Sequence, residues 1–289
     1  MTDNREIDEL TGQETTGHEW DGIKELNSPL PRWWLWTFYL CIVWAVAYWI
    51  AMPAIPLVSG YTKGVLGYSQ RDKVHEQISE AFAAQGNFRT RIEEASLAEI
   101  QDVPELFEFA MAGGKSAFAV NCSQCHGAGG AGAPGFPNLN DDAWIWGGSV
   151  DQIHETIRVG IRSSHDDTRF NEMPAFLKDE LLERREVDAV VEYVLRESGQ
   201  DHDAAAAADG RAVYVAQCAA CHQESGRGDP ELGAPNLVDA IWLYGGSREE
   251  IWNTVANARN GVMPNWDDKL DPIVRKQLAI YVHALGGGE

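Results

Sequence analysis

An internal repeat in the C-terminal two thirds of the chain constrains its fold more than any other feature. The second copy lies about 96 residues after the first, and each copy carries one Cys-x-x-Cys-His motif at the same place. Self-similarity at a fixed displacement indicates a duplicated structural unit. The matching positions around the motif are Gly114, Phe118, Cys122, Cys125 and His126 in the first copy and Gly210, Tyr214, Cys218, Cys221 and His222 in the second.

The correspondence continues beyond the motif, so each copy is a unit and not an isolated sequence match. The two units span about 90 and 80 residues, and domains this small often need a cofactor to hold them. The alanine-rich segment 198–209 is predicted to link them. The later landmarks are Pro137-Asn138-Leu139 with Pro235-Asn236-Leu237, Trp144-x-Trp146-Gly147-Gly148 with Trp242-x-Tyr244-Gly245-Gly246, and Met173-Pro174 with Met263-Pro264.

The Cys-x-x-Cys-His motif is the attachment sequence of c-type haem. Two thiols one helical turn apart can each add to a vinyl group of one haem, and the histidine that follows can bind its iron. An aromatic residue one turn before each first cysteine suits a helix packed beside the haem. We therefore expect two covalently bound haem c groups. The expected attachment cysteines are Cys122, Cys125, Cys218 and Cys221, and the expected proximal iron ligands are His126 and His222.

Two other uses of paired cysteines fit the sequence less well. Structural zinc pairs usually lie roughly 15 to 20 residues apart, whereas 92 residues separate Cys125 from Cys218. Dithiol redox chemistry of the thioredoxin kind occurs in strand-containing domains, and the surroundings of both motifs are predicted to be helical.

Met173 and Met263 are the candidates for the sixth iron ligand. Each precedes proline on a predicted loop at the matching place of its repeat. A thioether opposite histidine raises the reduction potential and fills the coordination site, whereas a lone methionine otherwise packs in a core. His154 and His165 are alternative ligands for the first haem. Neither has a counterpart histidine in the second repeat, and His165 lies in a segment that this repeat lacks.

Aromatic and basic residues near the Gly-Gly pairs are further candidates for the haem pockets. The aromatic residues are predicted to wall the pockets, where apolar surroundings tune the potential, or to pack as ordinary core. Arg158 and Arg259 are expected either to pair with haem propionates or to lie on a solvated helix face. The aromatic residues are Trp144, Trp146, Trp242 and Tyr244.

A single membrane span is predicted near the N-terminus. Residues 33–52 form a nearly unbroken apolar run that, as a helix, would be about 30 Å long and match a bilayer core. Tryptophans concentrate towards its ends, as interfacial anchors do, and Pro53 and Pro56 are expected to end the helix. The acidic segment before it, with no small-residue cleavage site after it, indicates a retained anchor and not a signal peptide.

The net charge excludes nucleic acid as a partner. The chain has 23 Lys and Arg against 44 Asp and Glu, a formal charge of −21, and phosphate needs clustered cations. An acidic surface instead favours basic partners. Three basic residues lie on each side of the span, so the positive-inside rule leaves its orientation open.

The sequence around the span resembles that of a known family. The run EWDGIKELNSPLPRWW at 19–34 is similar to the FixP/CcoP family, the membrane-anchored dihaem subunit III of cbb3-type haem-copper cytochrome c oxidases. The two repeats resemble class I cytochrome c domains, so the resemblance covers nearly the whole chain.

This resemblance implies an all-α fold with one N-terminal transmembrane helix followed by two tandem class I cytochrome c domains. We expect the connector to carry two or three amphipathic helices, with a boundary near Pro104 and the Gly113-Gly114 pair. The expected divisions are a cytoplasmic segment 1–32, an anchor helix 33–58, a periplasmic helical connector 59–110, and cytochrome c domains at 111–199 and 208–289.

The resemblance also implies the function of an electron-transfer subunit that is not an enzyme on its own. A soluble or membrane-bound cytochrome c would donate electrons, which continue through a monohaem cytochrome c subunit to the haem-copper catalytic subunit that reduces oxygen. Bacteria attach haem c on the periplasmic side. We therefore expect a single-pass inner-membrane protein with its haem domains in the periplasm.

Family members carry His/Met iron in both domains, which maps onto His126 with Met173 and His222 with Met263. An insertion near 161–171 lengthens the first His-to-Met spacing. Two six-coordinate irons would leave no open position for substrate. The alternative functions are a free-standing anchored dihaem carrier serving other reductases and a dihaem peroxidase, which needs an open iron and is opposed by the two Met-Pro pairs. A haem-based sensor would usually carry an output domain.

Overall fold

The computed structural model describes residues 6–286, and the chain separates into one unit that ends at Ala83 and a second that begins at Ala84. In the first unit, two antiparallel hairpins flank one long apolar helix. These hairpins were not predicted from the sequence. The strands are β1 Thr15–Trp20, β2 Ile23–Leu26, β3 Pro56–Leu57 and β4 Gly60–Tyr61, and the helix is α1 Arg32–Ala51.

Helix α1 has the length and composition of a membrane span. Its 20 residues contain no buried side chain, so its apolar surface has no protein partner within the described chain. Lipid is the environment that suits such a surface. The helix ends at Ala51, as expected from Pro53 and Pro56, which cannot donate backbone hydrogen bonds, and the rest of the division 33–58 is not helical.

The remaining helices confirm the predicted helical class. Ser149 and Ser247 begin two of them with matching capping boxes, and Asp203 caps a third through its carboxylate. The helices are α2 Gln70–Glu94, α3 Leu97–Asp102, α4 Pro104–Asn121, α5 Ser123–His126, α6 Val150–Val159, α7 Arg184–Glu197, α8 Ala204–Gln217, α9 Ala219–His222, α10 Arg248–Asn257 and α11 Pro272–His283.

Two local predictions about the ends of elements were wrong. The Gly113-Gly114 pair does not mark a boundary but lies inside α4. The predicted linker 198–209 is shorter than expected, because its alanines form the first turns of α8. Alanine has the highest helix propensity, so a run of it extends a helix more readily than it makes a connector.

The second unit contains two apolar cores, and each combines helices from both repeats. Core 1 is formed by α4 and α6 of the first repeat with α11 of the second, together with α3 and the end of α2. Core 2 is formed by α8 and α10 of the second repeat with α7 of the first. The last helices of the two repeats are therefore exchanged between the cores.

The two exchanged helix pairs cross in the same way. Gly114 of α4 lies against α11, where a methyl group would overlap the Gln277 carbonyl. Gly210 of α8 lies against α7, where a methyl group would overlap the Ala189 carbonyl. Aromatic pairs follow one turn later, with ring centroids 5.5 Å apart in core 1 and 4.9 Å apart in core 2. Those pairs are Phe118 with Tyr281 and Tyr193 with Tyr214.

Candidate haem sites

The first Cys-x-x-Cys-His motif occupies the break between α4 and α5. Cys122 ends α4 and is partly buried, whereas Cys125 is exposed on the next turn. His126 ends α5, and its Nδ1 lies 3.0 Å from the carbonyl oxygen of Pro137. A ring that donates through Nδ1 to a carbonyl keeps Nε2 free as a metal ligand, so the Pro137 carbonyl sets the tautomer.

The second motif repeats this arrangement between α8 and α9. Cys218 is partly buried at the end of α8, and the His222 ring is buried. Its Nδ1 lies 2.9 Å from the carbonyl oxygen of Pro235, the counterpart of the first contact. Tyr214 donates its hydroxyl hydrogen bond to the Gln223 carbonyl at 2.8 Å and so holds the chain directly after the motif.

Burial sets the protonation states of one cysteine and of the histidine in each motif. Burial raises the pKa of the Cys122 and Cys218 thiols to about 11, so both are neutral at physiological pH. Burial lowers the pKa of His126 and His222, although the hydrogen bond to the proline carbonyl opposes this shift. Both imidazoles are therefore held in the neutral form, which is the form that binds iron.

Each candidate methionine lies in the core that carries the cysteines of the other repeat. Met263 packs against core 1, which also contains Cys122 and Trp144. Met173 packs against core 2, which contains Cys218. The implied pairing of His126 with Met173 and of His222 with Met263 is therefore not the one that the fold brings together.

Backbone hydrogen bonds fix this crossed placement. Ile161, just after α6, exchanges two hydrogen bonds with Met263, at 2.9 and 3.0 Å, and the Trp266 N–H donates to the Ile157 carbonyl near the end of α6. In the other core, the Phe176 N–H donates to the Val255 carbonyl of α10 at 3.1 Å. Each Met-Pro loop thus satisfies the last carbonyls of a helix from the opposite repeat.

The two alternative histidines have other contacts. His165 Nδ1 accepts the backbone N–H of Asp167 at 3.0 Å, and Nε2 lies 3.4 Å from the Asp267 carboxylate. Both of its ring nitrogens are therefore engaged. His154 lies on α6, and burial, with the positive charge of Arg275, lowers the pKa of this imidazole.

Two arginines in equivalent positions carry buried polar atoms that no described residue satisfies. The Nε atoms of Arg169 and Arg259 are buried without a hydrogen-bond partner in the described chain. Each guanidinium lies over an aromatic ring, Trp146 at 5.5 Å and Tyr244 at 5.0 Å. A haem brings carboxylates that would supply such partners, so these orphaned donors fit the group.

Of the two arginines predicted from the sequence, Arg259 carries such an unsatisfied donor and Arg158 does not. Arg158 is engaged by Glu155 at 2.8 Å and by Asp167 at 3.4 Å. Its guanidinium is therefore already paired with carboxylates at the partly exposed side of α6. The missed residue is Arg169, and the signal was the spacing Arg-x-x-x-Met-Pro, which both repeats share.

The aromatic residues beside the Gly-Gly pairs divide into two sets. Trp144 and Trp242 pack against core 1 and core 2 respectively. Trp146 and Tyr244 lie instead against glycines of the opposite repeat's haem-attachment loop, Gly233 and Gly135. The two repeats therefore contact each other directly beside both motifs.

Two helical cores, each adjoined by a Cys-x-x-Cys-His motif with a neutral histidine and by one methionine, are the arrangement expected of a c-type cytochrome. Placed after an apolar helix of membrane-spanning length, they define a membrane-anchored one.

Comparison with known proteins gives the family. Residues 12–59 match the family described as "N-terminal domain of cytochrome oxidase-cbb3, FixP". Residues 109–194 and again 205–282 match "Cytochrome C oxidase, cbb3-type, subunit III". The chain belongs to the cbb3-type cytochrome c oxidase subunit III family, as the sequence resemblance predicted, and its cytochrome c domains make it a haem c-binding protein.

Full-length relatives agree with this assignment. The chain is 49% identical over 293 residues to the subunit FixP of Bradyrhizobium sp. (strain ORS 278), covering 100% of both chains. It is 52% identical over 277 residues to the subunit CcoP of Cereibacter sphaeroides, covering 95% of both. It is 51% identical over 290 residues to the subunit CcoP of Azospirillum sp. (strain B510), covering 98% of both. All three are described as cbb3-type cytochrome c oxidase subunits.

Proposed function

We propose that this chain is the membrane-anchored dihaem subunit of a cbb3-type oxidase, which accepts electrons from a donor cytochrome c and passes them towards the haem-copper catalytic subunit. The observation that carries the proposal is the pair of matched sites in one compact unit, in which the first cysteine of each Cys-x-x-Cys-His motif packs against a core that also receives one methionine. The function is electron transfer, and the chain is not catalytic on its own.

The proposed sites hold two haem c groups. The first is attached through Cys122 and Cys125, with His126 and Met263 as the iron ligands. The second is attached through Cys218 and Cys221, with His222 and Met173. Support for the crossed methionines comes from the packing of each Met-Pro loop in the core that contains the other repeat's cysteines.

Haem iron that alternates between its ferric and ferrous states supplies the one-electron chemistry. The residues of this chain then have three tasks. Histidine and methionine would together hold the iron, which would leave no open position for a substrate and would raise its reduction potential. The apolar cores exclude water, and the buried guanidinium groups of Arg169 and Arg259 offer partners to the propionates.

The proposed topology places residues 1–32 in the cytoplasm and both haem domains in the periplasm of a bacterial inner membrane. It depends on the place where haem c is attached, since charges on either side of α1 do not decide it. We keep 59–110 as the connector and 111–199 and 208–289 as the two sequence repeats. The buried Ile92 and Ile100 show that the end of this connector contributes to core 1.

The proposed partners are the haem-copper catalytic subunit, a monohaem cytochrome c subunit, and a soluble or membrane-bound donor cytochrome c. The formal charge of −21 favours a basic donor, because opposite charges accelerate encounter.

Purification of the native complex in mild detergent tests this function. The proposal expects a haem-copper subunit to co-purify with the chain, and the pyridine haemochrome assay to return two haem c groups per chain. Replacing Cys218 and Cys221 with serine should reduce that number to one. A chain that purifies alone, yet reduces other acceptors, would identify a free-standing carrier.

A further inference from the structure

An ion network surrounds the loop that follows Met263. Asp267, four residues after this methionine, lies 2.8 Å from the Arg275 guanidinium of α11 and 3.7 Å from that of Arg158 on α6. His165, on the insertion that the second repeat lacks, lies 3.4 Å from the same carboxylate. Helix α6, helix α11 and the insertion therefore all contact the Asp267 side chain.

The hydrogen bonds define the direction of each contact. Because the Asp167 N–H donates to Nδ1 of His165, Nε2 carries the proton and donates to the Asp267 carboxylate. Partial burial alone would raise the pKa of Asp267, but the His165 hydrogen bond and the charges of Arg275 and Arg158 outweigh it and lower the pKa. The carboxylate is therefore ionised at physiological pH and attracts all three partners.

The arginines are themselves held in place. Arg275 is 8% exposed and donates to the carbonyls of Asp267 at 2.5 Å and Leu270 at 2.7 Å. These hydrogen bonds hold the loop against α11. Arg158 is oriented by Glu155 of its own helix at 2.8 Å. These partly buried, multiply bonded groups restrict the position of the loop far more than an isolated surface pair would.

The insertion also holds the residues just before Met263. Arg162 donates to the Gly261 carbonyl at 2.7 Å and to the Asn171 carbonyl at 2.7 Å. The Met263 loop is therefore braced on both sides of the methionine by residues of the first repeat. The other Met-Pro loop lacks this arrangement, because the position that corresponds to Asp267 is Leu177, which packs against core 2.

We propose that Asp267 is a positioning residue for Met263: it ties the loop after this methionine to α6, to α11 and to the insertion, and so determines how firmly the Met263 thioether is held at the haem attached to Cys122 and Cys125. This inference rests on the proposed function, in which Met263 is an iron ligand. The proposal also assigns a role to the insertion, since its residues His165 and Arg162 both contact the Met263 loop.

The test uses the full-length chain with both haems attached and the variant Asp267→Asn, which keeps the side-chain shape but removes the charge. We expect the carbon monoxide affinity of one ferrous haem to rise about tenfold, because a loosened thioether competes less well for the iron. The reduction potential of that haem should fall, and the potential of the other haem should stay unchanged. Asp268→Asn is the matched control, because this neighbour is exposed and makes none of the contacts of Asp267.

Two further variants separate the outcomes. His165→Gln removes one partner of Asp267 and should shift the same haem by a smaller amount, even if Asp267→Asn fails to fold. Met263→Leu establishes which haem responds to loss of the thioether. If Met263→Leu changes one haem while Asp267→Asn and His165→Gln leave both potentials and carbon monoxide affinities unaltered, the positioning role of Asp267 is overturned and the ligand assignment stands. If Met263→Leu itself changes neither haem, the ligand assignment and this inference both fail.

Discussion

A single carboxylate joins three helices of core 2. Glu192 of α7 is 9% exposed, accepts a hydrogen bond from the Arg248 side chain of α10 at 3.1 Å, and accepts the backbone N–H of Asp203 at 2.6 Å. Asp203 is the residue that caps α8. The hydrogen bond from Arg248 outweighs the effect of burial and lowers the pKa of Glu192 below its usual 4.5.

We expect Glu192→Gln to lower the free energy of unfolding of the second unit by about 1 kcal/mol at neutral pH, because the amide makes weaker hydrogen bonds and carries no charge. A pKa lowered by folding means that the carboxylate stabilises the fold above its unfolded-state pKa and loses this effect as the pH falls through the folded-state pKa. Denaturant titrations near pH 7 and near pH 3 should show the difference between the two proteins shrinking in acid. An equal difference at both pH values would show that Glu192 acts through packing alone.

At the residue level, covalent chemistry made the sites predictable. Attachment of one haem demands two thiols and a histidine at fixed spacing, so Cys122, Cys125 and His126 could be proposed from the sequence. Arg169 was missed because the insertion displaces it from the position that its counterpart occupies relative to the Gly-Gly pair. The loops that carry the two methionines can be aligned between the repeats only by counting towards the N-terminus from each methionine.

Helices α7 and α8 cross closely, and so do α4 and α11. We expect Gly210→Ala to lower the free energy of unfolding by about 1–3 kcal/mol, because the new methyl group meets the Ala189 carbonyl of the facing helix. Gly86→Ala is the matched control, since this glycine lies in α2 with nothing within 4 Å of the added methyl. It should raise stability by about 0.5–1 kcal/mol through helix propensity alone.

Thermal unfolding of the two glycine variants separates these effects. Opposite shifts of the midpoint would support the close crossing at Gly210, whereas a stabilising shift in both variants would place α8 away from α7.

The sequence predicted that most elements are helices, but it did not predict every residue at which a helix begins or ends. The length and apolar composition of residues 33–52 gave α1 almost to the residue, because a helix must be long enough to cross a bilayer and proline stops it. The Gly113-Gly114 pair was misinterpreted as a boundary. Glycine can end a helix, and it can also let another helix approach closely. Here the approaching helix is α11, which lies far along the chain.

At the scale of the whole molecule, the exchange of helices between repeats could not be predicted from the repeat itself. Because the repeats are similar, α4 can pack with α7 or with α11 through equivalent glycine and aromatic contacts. The short connection 198–203 favours the pairing of α7 with α8, since consecutive helices joined by few residues usually become neighbours. Once α7 packs on α8, α11 is the partner that remains for α4.

This exchange makes the two sites interdependent. With the proposed crossed ligands, replacing the methionine of one repeat is expected to change the iron attached to the other, and neither repeat alone would contain a complete site.

The most direct test uses a chain in which Cys218 and Cys221 are replaced with serine, so that haem is attached only at Cys122 and Cys125. Met263→Leu and Met173→Leu are then introduced separately, and the far-red absorption band of methionine-ligated ferric haem is recorded. Crossed ligation predicts that Met263→Leu abolishes the band and that Met173→Leu leaves it in place. Loss of the band with Met173→Leu and its survival with Met263→Leu would contradict the exchange.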